Sequence, residues 1–285
     1  MLDEIQLELY IEPLLDWFFT NARVLPWRSE PTPYRVWVSE IMLQQTRVEA
    51  VKPYFARFIK ALPDVRALAE CPEDKLFKLW EGLGYYNRAR NMQTAAKEMI
   101  ERHDGVLPAD YNSLLKLKGI GHYTAGAVAS IAYGLPEPAV DGNVLRVLTR
   151  VAADDTDIMK QPFRLRVENM LRELLKYITA SGELKRRMQE KFKGKISDSL
   201  DIGFNRRMMS AANMPGSINQ AWMELGAIVC LPNGEPLCGE CPWQNVCKAK
   251  AQNKTDAFPV KSKAKARKIE QRTVFVIQEG NRVAL

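Results

Sequence analysis

The chain has 285 residues, 46% hydrophobic and 26% charged, enough apolar side chain for a buried core, which excludes a disordered or low-complexity protein. Lys and Arg number 41 against 34 Asp and Glu, a net charge of +7 that favours a polyanionic partner. The acidic opening over Met1 to Glu8 is unlike a secretory leader and no apolar run reaches the roughly 20 residues that cross a bilayer, so no membrane contact and a cytoplasmic, nucleoid-associated location are expected.

In chain order, helical spacing appears first in Leu14, Leu15, Phe18 and Phe19. A second helix runs through Val36 to Leu43, where Glu40 has Val36, Trp37 and Leu43 at i−4, i−3 and i+3. That places its carboxyl on or beside the apolar stripe. Burial there raises a carboxyl's pKa and keeps it protonated near neutrality, as a general acid requires. The competing reading is an edge glutamate that snorkels or pairs with Arg47. Leu76, Leu79, Trp80 and Leu83 continue the helical pattern, and proline and glycine punctuate it from Pro31 to Pro136. The body is therefore expected to be all-α with short connections.

The stretch from Leu117 to Thr124 reads as a clamp for a DNA backbone. Gly119 and Gly121 can take positive φ and lack a Cβ, so their amides can approach a phosphate where the helix from Thr124 presents its positive end. A helix pair joined by a tight glycine turn is the plainer alternative. Leu83-Gly84-Tyr85-Tyr86-Asn87 loosely echoes this turn, and the two would straddle one duplex. Asp141-Gly142-Asn143 precedes another helix, so Asp141 reads as its N-cap, held ionised by amide bonds and the helix dipole. An ordinary cap is the plainer reading of Asp141 alone. A protonated Glu40 with an anionic Asp141, however, is the pair that glycosidic cleavage uses: one protonates the leaving group while the other faces an oxocarbenium-like sugar.

Between about Ile178 and Met214, Lys185, Arg186, Arg187, Lys191, Lys193, Lys195, Arg206 and Arg207 make a basic segment, either a helical arm on DNA or a disordered insertion. Four of the five cysteines, Cys230, Cys238, Cys241 and Cys247, then crowd into one loop, which in a cytoplasmic protein points to metal. One Cys-x-x-Cys turn flanked by single ligands suits a four-thiolate iron–sulfur cluster better than zinc, which stays as the alternative. Cys71, before Pro72, reads as a buried or bystander thiol. Residues 248–272 are rich in Lys and Arg, and read as an extended linker or DNA-facing strap. Val274, Val276 and Val283 about Glu279-Gly280-Asn281 predict the start of a hairpin, a C-terminal strand fragment.

With these residues in hand, the chain resembles the adenine DNA glycosylases of the MutY type, in the helix-hairpin-helix superfamily that also holds endonuclease III. The resemblance runs from about Leu14 to Cys247 and rests on Pro26-Trp27-Arg28, Ser39 to Thr46, Gly82 to Tyr86, the Leu117 hairpin, Asp141-Gly142-Asn143 and the four cysteines. It implies the helix-hairpin-helix DNA glycosylase fold, two helical subdomains with a cleft between. A six-helix barrel domain would cover 29–136, and a cluster domain 1–28 plus 137–247. A basic linker at 248–272 and the start of a truncated NUDIX-like domain at 273–285 would follow.

The function so implied is removal of adenine mispaired with 8-oxoguanine or guanine in double-stranded DNA by a monomer, after the base leaves the stack. Glu40 matches the acid that protonates adenine at N7, and Asp141 the carboxylate that stabilises and bonds to the deoxyribose C1′. Tyr123 and Asn143 match groups that orient that carboxylate. Arg23, Trp27, Arg28, Leu43, Val48 and Gln220 fall where the family lines its adenine pocket. Gln45, Thr46 and Tyr85 fall where it tests the opposite base and wedges the stack, with Gly84, Gly119, Gly121 and Tyr123 on DNA. The cysteines would hold a 4Fe-4S cluster. Tyr123 stands where the endonuclease III branch has its lysine nucleophile, so the Schiff base route to strand cleavage is lost and a monofunctional enzyme is expected. The rivals are a pyrimidine-lesion glycosylase and lyase of endonuclease III type, and a non-catalytic DNA-binding redox protein.

The chain departs from the family in three places. The loop Leu231 to Leu237 is one residue longer than the common spacing, residues 178–214 have no counterpart, and the chain stops in the first hairpin of the domain that reads 8-oxoguanine. Weaker discrimination between 8-oxoguanine and guanine follows as an expectation.

Overall fold

The computed structural model describes residues 8–182, 186–187, 190–191, 213–262, 271, 273, 276–280 and 282–284. Helix α1 (Glu8–Asn21) buries Ile11, Leu14, Leu15 and Phe18, the apolar stripe of its sequence. A short α2 (Pro26–Ser29) leads to α3 (Pro33–Leu43), where Thr32 caps the Arg35 amide and Pro33 sits at a position with no amide partner to lose. Then follow α4 (Val48–Ala61), α5 (Val65–Ala69), α6 (Glu73–Trp80) and α7 (Asn87–Arg102). Asp64 and Asp110 supply the side-chain caps that start α5 and α8 (Tyr111–Lys116). A hairpin joins α8 to α9 (His122–Ala127), which runs on into a π-helical turn over Val128–Ala132. The rest of the body is α10 (Gly142–Ala152), α11 (Gln161–Ala180), α12 (Met214–Ile228) and α13 (Lys248–Ala251).

Two hydrophobic cores form. The first gathers Trp37, Phe55, Phe58, Trp80, Met99 and Val128 from residues between Leu25 and Ala139. The second gathers Leu14, Phe18, Leu145, Leu148, Leu171, Leu175, Trp222 and Trp243, so it joins α1 to residues between Val140 and Trp243. Helix α12 ties them together, packing on α1, α10, α11 and the π turn. Its Asn219 donates to Ser130 Oγ and Glu137 O, both at 2.8 Å, and accepts from the Ala139 amide at 3.1 Å. These bonds satisfy backbone groups at the crossover between the cores, where an unpaired amide would be costly.

The C-terminal hairpin expected from the alternation is present as β1 (Ile277–Glu279) and β2 (Arg282–Ala284), antiparallel with Gln278 opposite Val283. The extended linker is corrected in part. Residues 248–262 pack on the body: Arg150 Nε donates to Thr255 O and Phe258 O, Phe258 is buried, and the Ile158 amide donates to Val260 O at 3.1 Å. The reason is that a buried arginine needs carbonyls and this strap supplies them. Most of the basic segment at 178–214 lies outside the described residues; of it, Arg187 and Lys191 pair with Glu12 on α1. Among the described residues no helix is long and apolar enough to cross a membrane.

Candidate active site and cysteine pocket

A cleft of about 700 Å³ opens where the two cores meet. Glu40 reaches it from α3 and is 6% exposed, so the edge-glutamate reading fails; its partner is Tyr123 of α9, not Arg47. The Tyr123 hydroxyl donates to Glu40 Oε2 at 2.5 Å and lies 3.2 Å from Met223 Sδ. Burial raises the Glu40 pKa to about 7, against the Tyr123 hydrogen bond and the Arg28 charge and with the help of the Asp141 charge. The same enclosure pushes the Tyr123 phenol well above its ordinary value.

Asp141 enters the cleft from the start of α10, where it is the N-cap: Oδ1 accepts the Val144 amide at 2.9 Å. Asn143 Nδ2 donates to Oδ2 at 2.6 Å, so both carboxylate oxygens are engaged. Desolvation nevertheless raises the Asp141 pKa above its usual value, outweighing these bonds and the Arg146 charge. Amides and dipole alone therefore do not set its state; enclosure in the cleft acts against them.

Arg23, Trp27, Arg28, Leu43, Val48 and Gln220 all line the cleft, with Gln45 and Thr46 at its edge. Gly84 and Tyr85 sit in the turn before α7, and Gly119 and Gly121 in the hairpin before α9, away from the cleft lining. Gly119 has φ 78°, as a phosphate-facing turn allows, but Gly121 has φ −96° and needs no positive φ, because it is the extended residue capping α9. Tyr85 is two-thirds exposed, at 66%.

Two residues that motif reading passed over support the site. Glu224 of α12 accepts from Arg23 Nε at 2.8 Å, from the Arg23 amide at 2.9 Å and from Arg28 Nη2 at 2.8 Å. Burial would raise its pKa, but the Arg23 and Arg28 hydrogen bonds and charges win and hold it at about 2. Arg28 Nε also donates to Gln220 Oε1 at 3.1 Å. Arg146 of α10 donates to Asn143 Oδ1 at 2.7 Å, Gly226 O at 2.8 Å and Cys230 O at 2.8 Å, so it holds the partner of Asp141. The available signal was a charged residue on an apolar helix face: Glu224 in Trp222-Met223-Glu224-Leu225, and Arg146 and Arg150 at i, i+4 in α10.

Cys230, Cys238, Cys241 and Cys247 line one small pocket with Val147, Val151, Trp243 and Arg150, and all four are free thiols. Four thiols lining one pocket are a donor set that suits either an iron–sulfur cluster or a zinc ion. Arg150 Nη1 lies 3.3 Å from Cys230 Sγ, a cation where thiolate charge would need one. Cys71 is buried apart from them, 3.4 Å from Pro72 O.

Comparison with known proteins places this arrangement in a class. The HhH-GPD superfamily base excision DNA repair protein family matches residues 38–176. The adenine DNA glycosylase of Buchnera aphidicola subsp. Baizongia pistaciae is 33% identical over 281 residues, covering 97% of this chain and 69% of its own length. The mouse adenine DNA glycosylase is 38% identical over 245 residues, covering 83% of this chain and 41% of its own length. A thermostable thymine-DNA glycosylase structure shares the fold with a TM-score of 0.63, at 22% identity over 86% of this chain and 96% of that one. The chain thus has a base excision repair fold, and within that class it belongs to the adenine DNA glycosylase family.

Proposed function

We propose that this chain binds double-stranded DNA containing adenine opposite 8-oxoguanine or guanine, draws the adenine into the cleft and hydrolyses its N-glycosidic bond. The observation that carries this reading is Glu40: a buried carboxyl raised to about 7, held by Tyr123, in the same cleft as Asp141. Glu40 donates its proton to adenine N7, so the C1′–N9 electron pair leaves with a neutral base. Asp141 faces the electron-poor C1′, its oxygens aimed by the Val144 amide and Asn143. Water then attacks C1′ and returns a proton to Glu40. Trp27, Arg28, Leu43, Val48, Arg23 and Gln220 hold the base, while Gln45, Thr46 and Tyr85 enter the duplex. The Gly84 turn and the Gly119–Gly121 hairpin, with Tyr123 behind it, grip the strand. A monomer is sufficient, since both carboxyl groups come from one chain.

Among the described residues no lysine lines the cleft, which supports a monofunctional hydrolase over a Schiff base lyase. Cys230, Cys238, Cys241 and Cys247 would hold a 4Fe-4S cluster, whose chemistry here is to cross-link a loop too short for its own core. That loop already touches the body through Trp243, whose Nε1 donates to Tyr10 O at 2.9 Å.

The test is a duplex with adenine opposite 8-oxoguanine. The expected result is an intact strand that alkali cuts at the adenine, with no adduct after borohydride. An adenine strand that resists alkali would refute excision, and a strong borohydride adduct would refute the monofunctional assignment.

A further inference from the structure

Arg88, at the start of α7, carries no role in the motifs or in the cleft. Its guanidinium bonds backbone carbonyls from two separate turns. Nη1 donates to the carbonyls of Ile41 at 2.8 Å, Met42 at 3.0 Å and Gln44 at 2.7 Å. Nη2 donates to those of Leu83 at 2.9 Å and Gly84 at 3.2 Å. The first set is the C-terminal end of α3, where orphan carbonyls and the helix dipole favour a cation. The second set is the turn that leads into α7. The cation also lies 5.3 Å from the Trp80 ring and 5.7 Å from the Tyr85 ring, and Trp80 Nε1 donates to Gly84 O at 3.1 Å.

The two turns so joined carry Gln45 and Tyr85. Both are exposed, and both stand at positive φ, 57° and 49°, a region that L residues occupy only when their surroundings hold them there. One turn further along α7, Asn91 Cβ lies 2.8 Å from where a Cβ on Gly119 would sit, so the hairpin rests on the same helix. A lysine in place of Arg88 would keep the charge but not the planar fork that spans carbonyls of two turns.

We propose that Arg88 is a positioning residue for recognition of the mispair: it fixes the Gln45 and Tyr85 turns at one spacing, so that both side chains enter a weakened duplex together. The proposal rests on the reading of those turns as DNA contacts given above. Arg88 itself touches no DNA and no adenine.

The experiment measures Kd for A:8-oxoguanine duplex and for fully paired duplex in a Glu40→Gln background, which blocks turnover, with Arg88 intact, Arg88→Lys or Arg88→Gln. The ratio of Kd for fully paired duplex to Kd for A:8-oxoguanine duplex should fall about tenfold or more in both variants. A merely structural loss removes active protein equally for both duplexes and leaves the ratio unchanged. In a double-mutant cycle, Tyr85→Ala should lower the ratio strongly with Arg88 present and little with Arg88→Lys. A wild-type ratio in folded Arg88→Lys, or full additivity with Tyr85→Ala, would overturn the proposal. If the parent protein prefers the mispair and the Arg88 variants lose that preference, yet wild type leaves adenine in place, the excision reading fails and the clamp stands.

Discussion

The Tyr123 hydroxyl donates to Glu40 Oε2 at 2.5 Å, a bond between α9 and α3 that spans 83 positions of sequence. It is the contact by which the helix after the hairpin fixes the direction of the buried carboxyl. It also opposes burial, since a donor to the anion favours ionisation.

The rate of adenine removal should therefore be high while Glu40 holds its proton and fall on the alkaline side of a limb near pH 7. In Tyr123→Phe the lost hydrogen bond no longer favours the Glu40 anion. The limb should move to higher pH even as the rate drops. Single-turnover rates from pH 5 to 9 measure both; a limb that moves down would contradict the role of this bond. The same group affects stability. Its folded pKa lies above the ordinary 4.5, so its contribution is complete below that value and is lost as pH rises through about 7. Glu40→Gln should accordingly gain stability over wild type at pH 8 relative to pH 4, on the order of 1–3 kcal/mol.

Glu224 is 2% exposed at its side chain and faces Arg28 at 8%. Glu224→Ala leaves the Arg28 charge buried and uncompensated, a loss of about 3–5 kcal/mol. Urea denaturation should show it as a lower midpoint. A change of less than about 1 kcal/mol would mean that Arg28 finds water or another acceptor.

The fold was legible where apolar spacing and punctuation agree, as in α1, α3 and α10 with its Asp141 cap. Glu40 stood out because a carboxylate within a run of Val36, Trp37, Ile41 and Leu43 has no cheap place to go. Tyr123 was assigned to the Asp141 carboxylate whereas it bonds Glu40, because a contact across 83 residues leaves no local trace. Glu224 and Arg146 carried the same charge-on-apolar-face signal, but their partners Arg28 and Cys230 are also remote. The π turn at Val128–Ala132, which packs against α12, has no composition that marks it. The Gly121 conformation was misjudged because a Gly-x-Gly pair suggests two special backbones, whereas one positive φ at Gly119 completes the turn.

Gly226 of α12 lies against the start of α10: a Cβ there would come within 2.5 Å of Asn143 Cβ and 3.0 Å of its Cα. Gly226→Ala should push Asn143 from Asp141, lowering the excision rate roughly ten- to a hundredfold and stability by about 1–3 kcal/mol. Wild-type kinetics in this variant would show that α10 can yield without disturbing Asp141.

The cysteine pocket makes a prediction independent of activity. Purified protein should be brown and carry about four irons and four acid-labile sulfides per chain. Cys241→Ser should lose iron and lower the thermal midpoint. A colourless wild type with zinc bound would overturn the cluster assignment.

The most direct test is single-turnover excision of adenine opposite 8-oxoguanine by wild type, Glu40→Gln and Asp141→Asn, each checked for folding. The two carboxyl groups acting on one extruded nucleoside predict a loss of about a thousandfold in each variant. Either variant excising adenine at the wild-type rate would contradict the account.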